Sequence, residues 1–194
     1  MNVAGAIRRR ITTALQKLLW IDATHNFVVT SLEQTTSLPS GLDFTFIPIT
    51  QENYGRVKEF REKGRINEYR KKLQKDELGF FAICGARAAG SIWATINTTS
   101  EPVIVRRYMR LKPNEALVHD IVTGEHFRGR SIGPFMVNRI IEYLLGAKAV
   151  SKVLIDVSMR NRPSLRMMEK AGLTVHESKL YVSAFGKLAF ERLL

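Results

Sequence analysis

Residues 123–133, Thr-Gly-Glu-His-Phe-Arg-Gly-Arg-Ser-Ile-Gly, bring together what an anion site needs. Gly129 and Gly133 let the backbone turn tightly and present successive N–H groups. Pro134 follows, and its missing N–H costs nothing in the first turn of a helix. A helix starting there would aim its positive end at the same spot, and Arg128 and Arg130 add full charges. The chemistry implied is the binding of phosphate oxygens; the alternative is a surface turn with two incidental arginines. The spacing does not meet Gly-x-Gly-x-x-Gly, which disfavours a dinucleotide fold. The lysine and hydroxyl of a P-loop are missing too.

A second segment, residues 161–173, is a punctuated helix. Asn161 suits the N-cap, Pro163 the first turn and Gly172 the stop. The single cysteine, Cys84, excludes an internal disulfide and every multi-cysteine zinc pattern.

Alternating elements must hold these two segments. Residues 116–122 and 153–157 read as strands, residues 133–145 and 162–171 as helices, and the chain from Leu173 onward is strand-like again. Strand–helix–strand–helix–strand calls for a βαβ unit with parallel strands and a right-handed crossover. Upstream, residues 44–50 suggest a strand, and residues 51–77 a charged helical stretch broken at Gly64, with Val57, Phe60, Ile66 and Tyr69 buried. Residues 80–84 and 91–96 flank a glycine-bearing turn, which is a hairpin signal. Residues 98–114 read as loop with a strand-like core at 103–105. The expected fold class is α/β of the α+β type. It has a mixed, mostly antiparallel central sheet, a βαβ core and helices on both faces.

The chain has 194 residues and an apolar share of 45%, enough for one domain with a real core. Composition divides it at residue 42. Ile7, Ile11, Leu15 and Leu18 recur at helical spacing opposite Arg9, Arg10 and Lys17, with no acid before Asp22. Residues 1–42 thus read as a basic amphipathic helix and a linker ending at Pro39 and Gly41, and residues 43–194 as the main domain. The helix could pack on the body or a sister subunit, lie on a membrane surface, or serve as a transit peptide. No apolar run approaches the roughly 20 residues that span a bilayer. The net charge of +12 points to an anionic partner without naming it.

Together the two motifs resemble the acetyl-CoA-binding core of the GNAT N-acetyltransferase superfamily. Its pyrophosphate loop, (Gln/Arg)-x-x-Gly-x-(Gly/Ala), is followed by Arg128 to Gly133 with Ser131 in place of the middle glycine. Its later motif is met by Asn161, Ser164, Lys170, Gly172 and Leu173. Departures are Thr123-Gly124-Glu125 in place of Val-x-Pro, and Met168 where many members carry a tyrosine that protonates the departing thiolate. The resemblance implies acetyl-CoA or another acyl-CoA as cofactor, with no metal, and N-acetyl transfer to a primary amine by direct attack. It implies that the backbone of Arg128, Gly129, Arg130, Ser131, Ile132 and Gly133 holds the pyrophosphate. Ile121, Val122 and Thr123 would meet the pantetheine in a gap between splayed strands, and Asn161 and Ser164 would touch the cofactor. His119 and Asp120 are the implied bases, on opposite faces unless a bulge intervenes, and Tyr181 stands in for the missing tyrosine. A small-molecule amine is the expected acceptor. A protein lysine, an aminoacyl-tRNA and a non-catalytic acyl-CoA- or nucleic-acid-binding module are the alternatives. The implied setting is cytoplasmic or membrane-peripheral, with a homodimer possible and nucleic acid or membrane contact left to the basic helix.

Overall fold

A computed structural model describes residues 19–35, 44–185 and 187–194. In chain order its strands are β1 (Leu19–Val29), β2 (Phe44–Pro48), β3 (Leu78–Cys84), β4 (Arg87–Ile96), β5 (Val103–Arg106), β6 (Met109–Leu111), β7 (Glu115–Thr123), β8 (Lys152–Ser158), β9 (Glu177–Ala184) and β10 (Lys187–Leu193). The helices are α1 (Ile66–Leu73), α2 (Ile132–Glu142) and α3 (Arg162–Lys170). Eight strands form one sheet in the order β10-β9-β1-β8-β7-β4-β3-β2, while β5 and β6 make a separate ribbon. Among the described residues only β7 and β8 pair in parallel; their connection is α2, the crossover that a parallel pair requires.

Alternation along the strands feeds two cores. Val153, Ile155 and Val157 of β8 and Ala116 and Val118 of β7 face α2 and α3, meeting Met136, Val137, Ile140, Ile141 and Met168. Each fully buried Ile or Met contributes about 1.5–3 kcal/mol. On the opposite face Phe81 and Trp93 pack on Val57 and Tyr69. Residues 51–77 hold short 3-10 turns at Tyr54–Glu59 and Lys63–Arg65 before α1, so the charged stretch is helical in pieces, with the break around Gly64. Helix α2 gives way to a π turn at Tyr143–Ala147.

Strand β1 lies ahead of the boundary suggested by composition, yet runs through the middle of the sheet between β8 and β9. Its side chains alternate: Phe27 and Val29 join the helix-side core, and Thr24 and Asn26 are buried on the other face. Those polar groups are satisfied there. Asn26 donates to Glu177 Oε1 at 3.1 Å and to the Tyr181 hydroxyl at 3.3 Å. The amphipathic pattern at residues 1–18 and the Pro39–Gly41 linker lie outside the described residues.

Candidate active site

Strands β7 and β8 stay paired only from Glu115↔Lys152 to Val118↔Ile155, and then fork. The cause sits in β7. Against β4, Trp93 opposes His119 but Ser91 opposes Val122, so β7 carries one extra residue. That is a β-bulge, and Asp120 takes up the distortion with a φ of 47°. His119 is the first residue past the fork. The bulge also places both the His119 and Asp120 side chains on the α1 face, where a regular strand would have separated them.

His119 is 15% exposed, with Nε2 3.1 Å from Thr95 Oγ1 and 3.4 Å from Glu77 Oε2. Burial, then Lys72 and Arg106, push its pKa down to about 4, so the imidazole is neutral at pH 7. Asp120 is tied to Lys72 at 2.6 Å and to Arg61 at 3.1 Å. Burial works to raise its carboxyl, but those two cations outweigh it and hold Asp120 below the usual range. Burial raises Glu77. Glu77, Arg61, Lys72 and Arg106 carry no sequence signal of their own; strand register and the packing of α1 and β5 bring them here.

Beyond the fork the chain turns through residues 124–131 into α2. Gly129 has φ 80° and Ser131 φ 59°. Ser131 is the N-cap of α2 in left-handed geometry, a conformation that favours glycine. A Cβ on Gly133 would lie 2.5 Å from Met167 Sδ, so the Met167 side chain would have to shift where α3 rests on the first turn of α2. A groove of 530 Å³ opens along this junction, lined by Ile121, Val122, Thr123, Arg128, Gly129, Ser131, Ile132 and Gly133. Ser164, Arg166 and Lys170 of α3 complete its cationic wall. Arg130 and Asn161, also expected there, are not among the residues that line it. The Arg130 guanidinium lies 5.9 Å from the centre of the Phe127 ring, and Asn161 Oδ1 caps α3 by accepting from the Ser164 N–H at 3.3 Å.

Tyr181 does not reach this groove. It lies in β9, 2% exposed and stacked on Tyr108 with ring centres 4.2 Å apart, beside a separate hollow lined by Asn26, Lys152 and Glu177. Met168 is fully buried in the helix-side core, so its position presents no group to the fork.

The acetyltransferase (GNAT) family model matches residues 45–173. The chain belongs to this family. Its fold recurs in solved structures. A GCN5-related glucosamine N-acetyltransferase region of a fungal multi-domain GH3 β-N-acetylglucosaminidase matches with a TM-score of 0.58 at 15% identity, over 88% of this chain and 22% of that one. A tandem GNAT protein from the clavulanic acid biosynthesis pathway also gives 0.58, at 14% identity, over 85% of this chain and 54% of that one. AAC(6′)-Iy, solved with the bisubstrate analogue CoA-S-monomethyl-acetylneamine, gives 0.52 at 14% identity, over 66% of this chain and 89% of that one. This GNAT chain thus spans about a fifth and about half the length of the first two, and at such identities the likeness is one of fold. Comparison with curated proteins gives no match. Among the described residues, no cluster of three or more His, Cys, Asp or Glu could hold a metal ion, and no helix is long and apolar enough to cross a membrane.

Proposed function

We propose that this protein moves an acyl group, in the first instance acetyl, from acyl-CoA to a primary amine by direct attack. The observation that carries the reading is the fork past Val118 and Ile155, with the cationic groove and the left-handed turn of the Arg128–Gly133 loop at its mouth. The groove suits a CoA. Backbone N–H groups of residues 128–133 and the α2 N-terminus would take the pyrophosphate, with Arg128 beside them. Arg166 and Lys170 offer charge to a third phosphate, and Ser164 a hydroxyl. Acyl-CoA supplies a thioester, an acyl group already activated for transfer.

Backbone N–H groups of Ile121, Val122 and Thr123 would bond the pantetheine and polarise the thioester carbonyl. Neutral His119, the first side chain past the fork, would orient the attacking amine; held down to about 4, it is a weak acceptor for the proton the amine loses. Asp120 is held by Arg61 and Lys72, so it fixes the field around His119 rather than acting as a base. With Met168 and Tyr181 both away from the groove, no side chain acid is assigned to the leaving thiolate, which takes its proton from solvent. A small-molecule amine is the favoured acceptor.

The test measures acetyl-CoA binding by calorimetry and thiol release with a panel of free amines, lysyl peptides and aminoacyl-tRNA. Micromolar binding with turnover on a free amine is expected. Binding without turnover on any acceptor would leave a non-catalytic module, and absence of binding would refute the groove assignment.

A further inference from the structure

Among the described residues, Asp120 is the one non-glycine residue inside a strand with a positive φ. Aspartate tolerates the left-handed region but does not seek it. The destination of its side chain makes the difference. In a regular β7, Asp120 would follow Ala116 and Val118 into the helix-side core that holds Ile132 and Met136, and bury an unpartnered carboxylate there. The bulge turns it to the opposite face. There Lys72 Nζ donates to Oδ2 at 2.6 Å, and Arg61 Nη1 donates to Oδ1 at 3.1 Å and to Oδ2 at 3.3 Å. Both cations rest on fully buried rings: Lys72 Nζ lies 4.9 Å from the Trp93 ring centre, and Arg61 Nη1 3.5 Å from the Tyr69 hydroxyl.

The extra residue sets the facing of every residue after it. With Asp120 taken up, Val122 opposes Ser91 and Ile121 packs on the helix-side core. Ile121, Val122 and Thr123 all line the groove. Without the bulge each would turn to the other face, and β7 would be free to go on pairing with β8 beyond Val118 and Ile155. We propose that Arg61 and Lys72 are positioning residues for acyl-CoA: their ion pairs with Asp120 choose the extra residue of β7 and so hold the fork open. This rests on the acyl-transfer reading above for the ligand, whereas the clamp is a property of the free chain. Neither cation lines the groove, so both act through Asp120.

The experiment uses the full chain with ¹³C-labelled aspartate, Asp120→Asn to assign the signal, and calorimetry with acetyl-CoA. Wild-type Asp120 is expected to show the Cα and Cβ shifts of a left-handed residue, and Lys72→Met should move them toward extended values. Lys72→Met, and Asp120→Val with its preference for regular strand, should each weaken acetyl-CoA binding about 10-fold. Asp120→Asn keeps acceptors for both cations and the left-handed tolerance, and should stay within about threefold of wild type. Adding Asp120→Gly to Lys72→Met should recover most of the lost affinity, because glycine holds a positive φ without a clamp; a general loss of stability would not be repaired this way. Extended shifts in the wild type, unchanged shifts and affinity in Lys72→Met, or wild-type affinity in Asp120→Val overturns the proposal. The shifts need no ligand, so a wild type that does not bind acetyl-CoA refutes the groove assignment and is told apart from failure of the clamp.

Discussion

Acidification should destabilise this protein through His119 before any salt bridge is lost. The unfolded chain takes up a proton on this histidine near its ordinary pKa of 6.5, but the folded chain refuses it until about 4. A histidine with a depressed folded value contributes stability that is fully present above 6.5 and falls as pH drops through that window, levelling off below 4. Each pH unit in the window costs about 1.4 kcal/mol, or about 3 kcal/mol in all. Two neighbours set the background. Asp120 is lowered from an ordinary 3.8, so its contribution is lost only below that value. Glu77 is raised by burial and acts with the opposite sign, strengthening the fold as pH falls through its own window. Urea unfolding followed by tryptophan fluorescence, where Trp93 is fully buried, can be run at half-unit steps from pH 7.5 to 4.5. His119→Gln keeps a partner for Thr95 and should flatten the curve by about 2–3 kcal/mol at its acid end. If wild type and His119→Gln lose stability in parallel, the buried-neutral account of His119 is wrong.

Ser131→Gly relieves a left-handed serine and should stabilise the fold by about 0.5–1 kcal/mol, read as a rise in Tm with CoA affinity kept. Gly133→Ala makes the flexible Met167 side chain shift, a cost that the helix propensity of alanine largely offsets; stability should change by less than about 1 kcal/mol while acetyl-CoA binding weakens, both measurable on one purified sample by melting and calorimetry. Asp120→Ala strands Arg61 and Lys72, each 17% exposed; it should cost about 2–3 kcal/mol in urea unfolding, and Asp120→Asn less.

Periodicity and punctuation made the βαβ unit legible. Observed β7, α2, β8 and α3 fall within a few residues of their expected bounds: glycine or proline sits near the ends of β7, α2 and α3, and Val153, Ile155 and Val157 alternate along β8. The turn at Gly85 between β3 and β4 was equally plain. Strand β1 was obscured because one of its faces carries Asp22, Thr24 and Asn26, which read as exposed polar residues but are largely enclosed by β9 and its Tyr181. The stronger helical period just upstream drew the boundary past it. At the site, local motifs revealed the loop, but the fork depended on one inserted residue whose effect is felt only in register with β4. Tyr181 was placed by its nearness in sequence to the second motif; distance across β1 removed it from the groove. Glu77 could not be found that way, since Asp76-Glu77 at the end of a lysine-rich run has no local signature.

Strand β9 touches the rest of the sheet through β1 alone, with β10 on its outer side. Residues about 130 to 160 positions apart in the chain are therefore neighbours: His25 sits between Val157 and Ser178. During synthesis β1 emerges more than a hundred residues ahead of β8 and β9 and waits unpaired until both have followed. Closure of this part of the sheet spans more than a hundred residues and is slowed by loop-closure entropy. Through that interval β1 has two open edges, so the nascent chain is exposed to mispairing until β8 and β9 arrive.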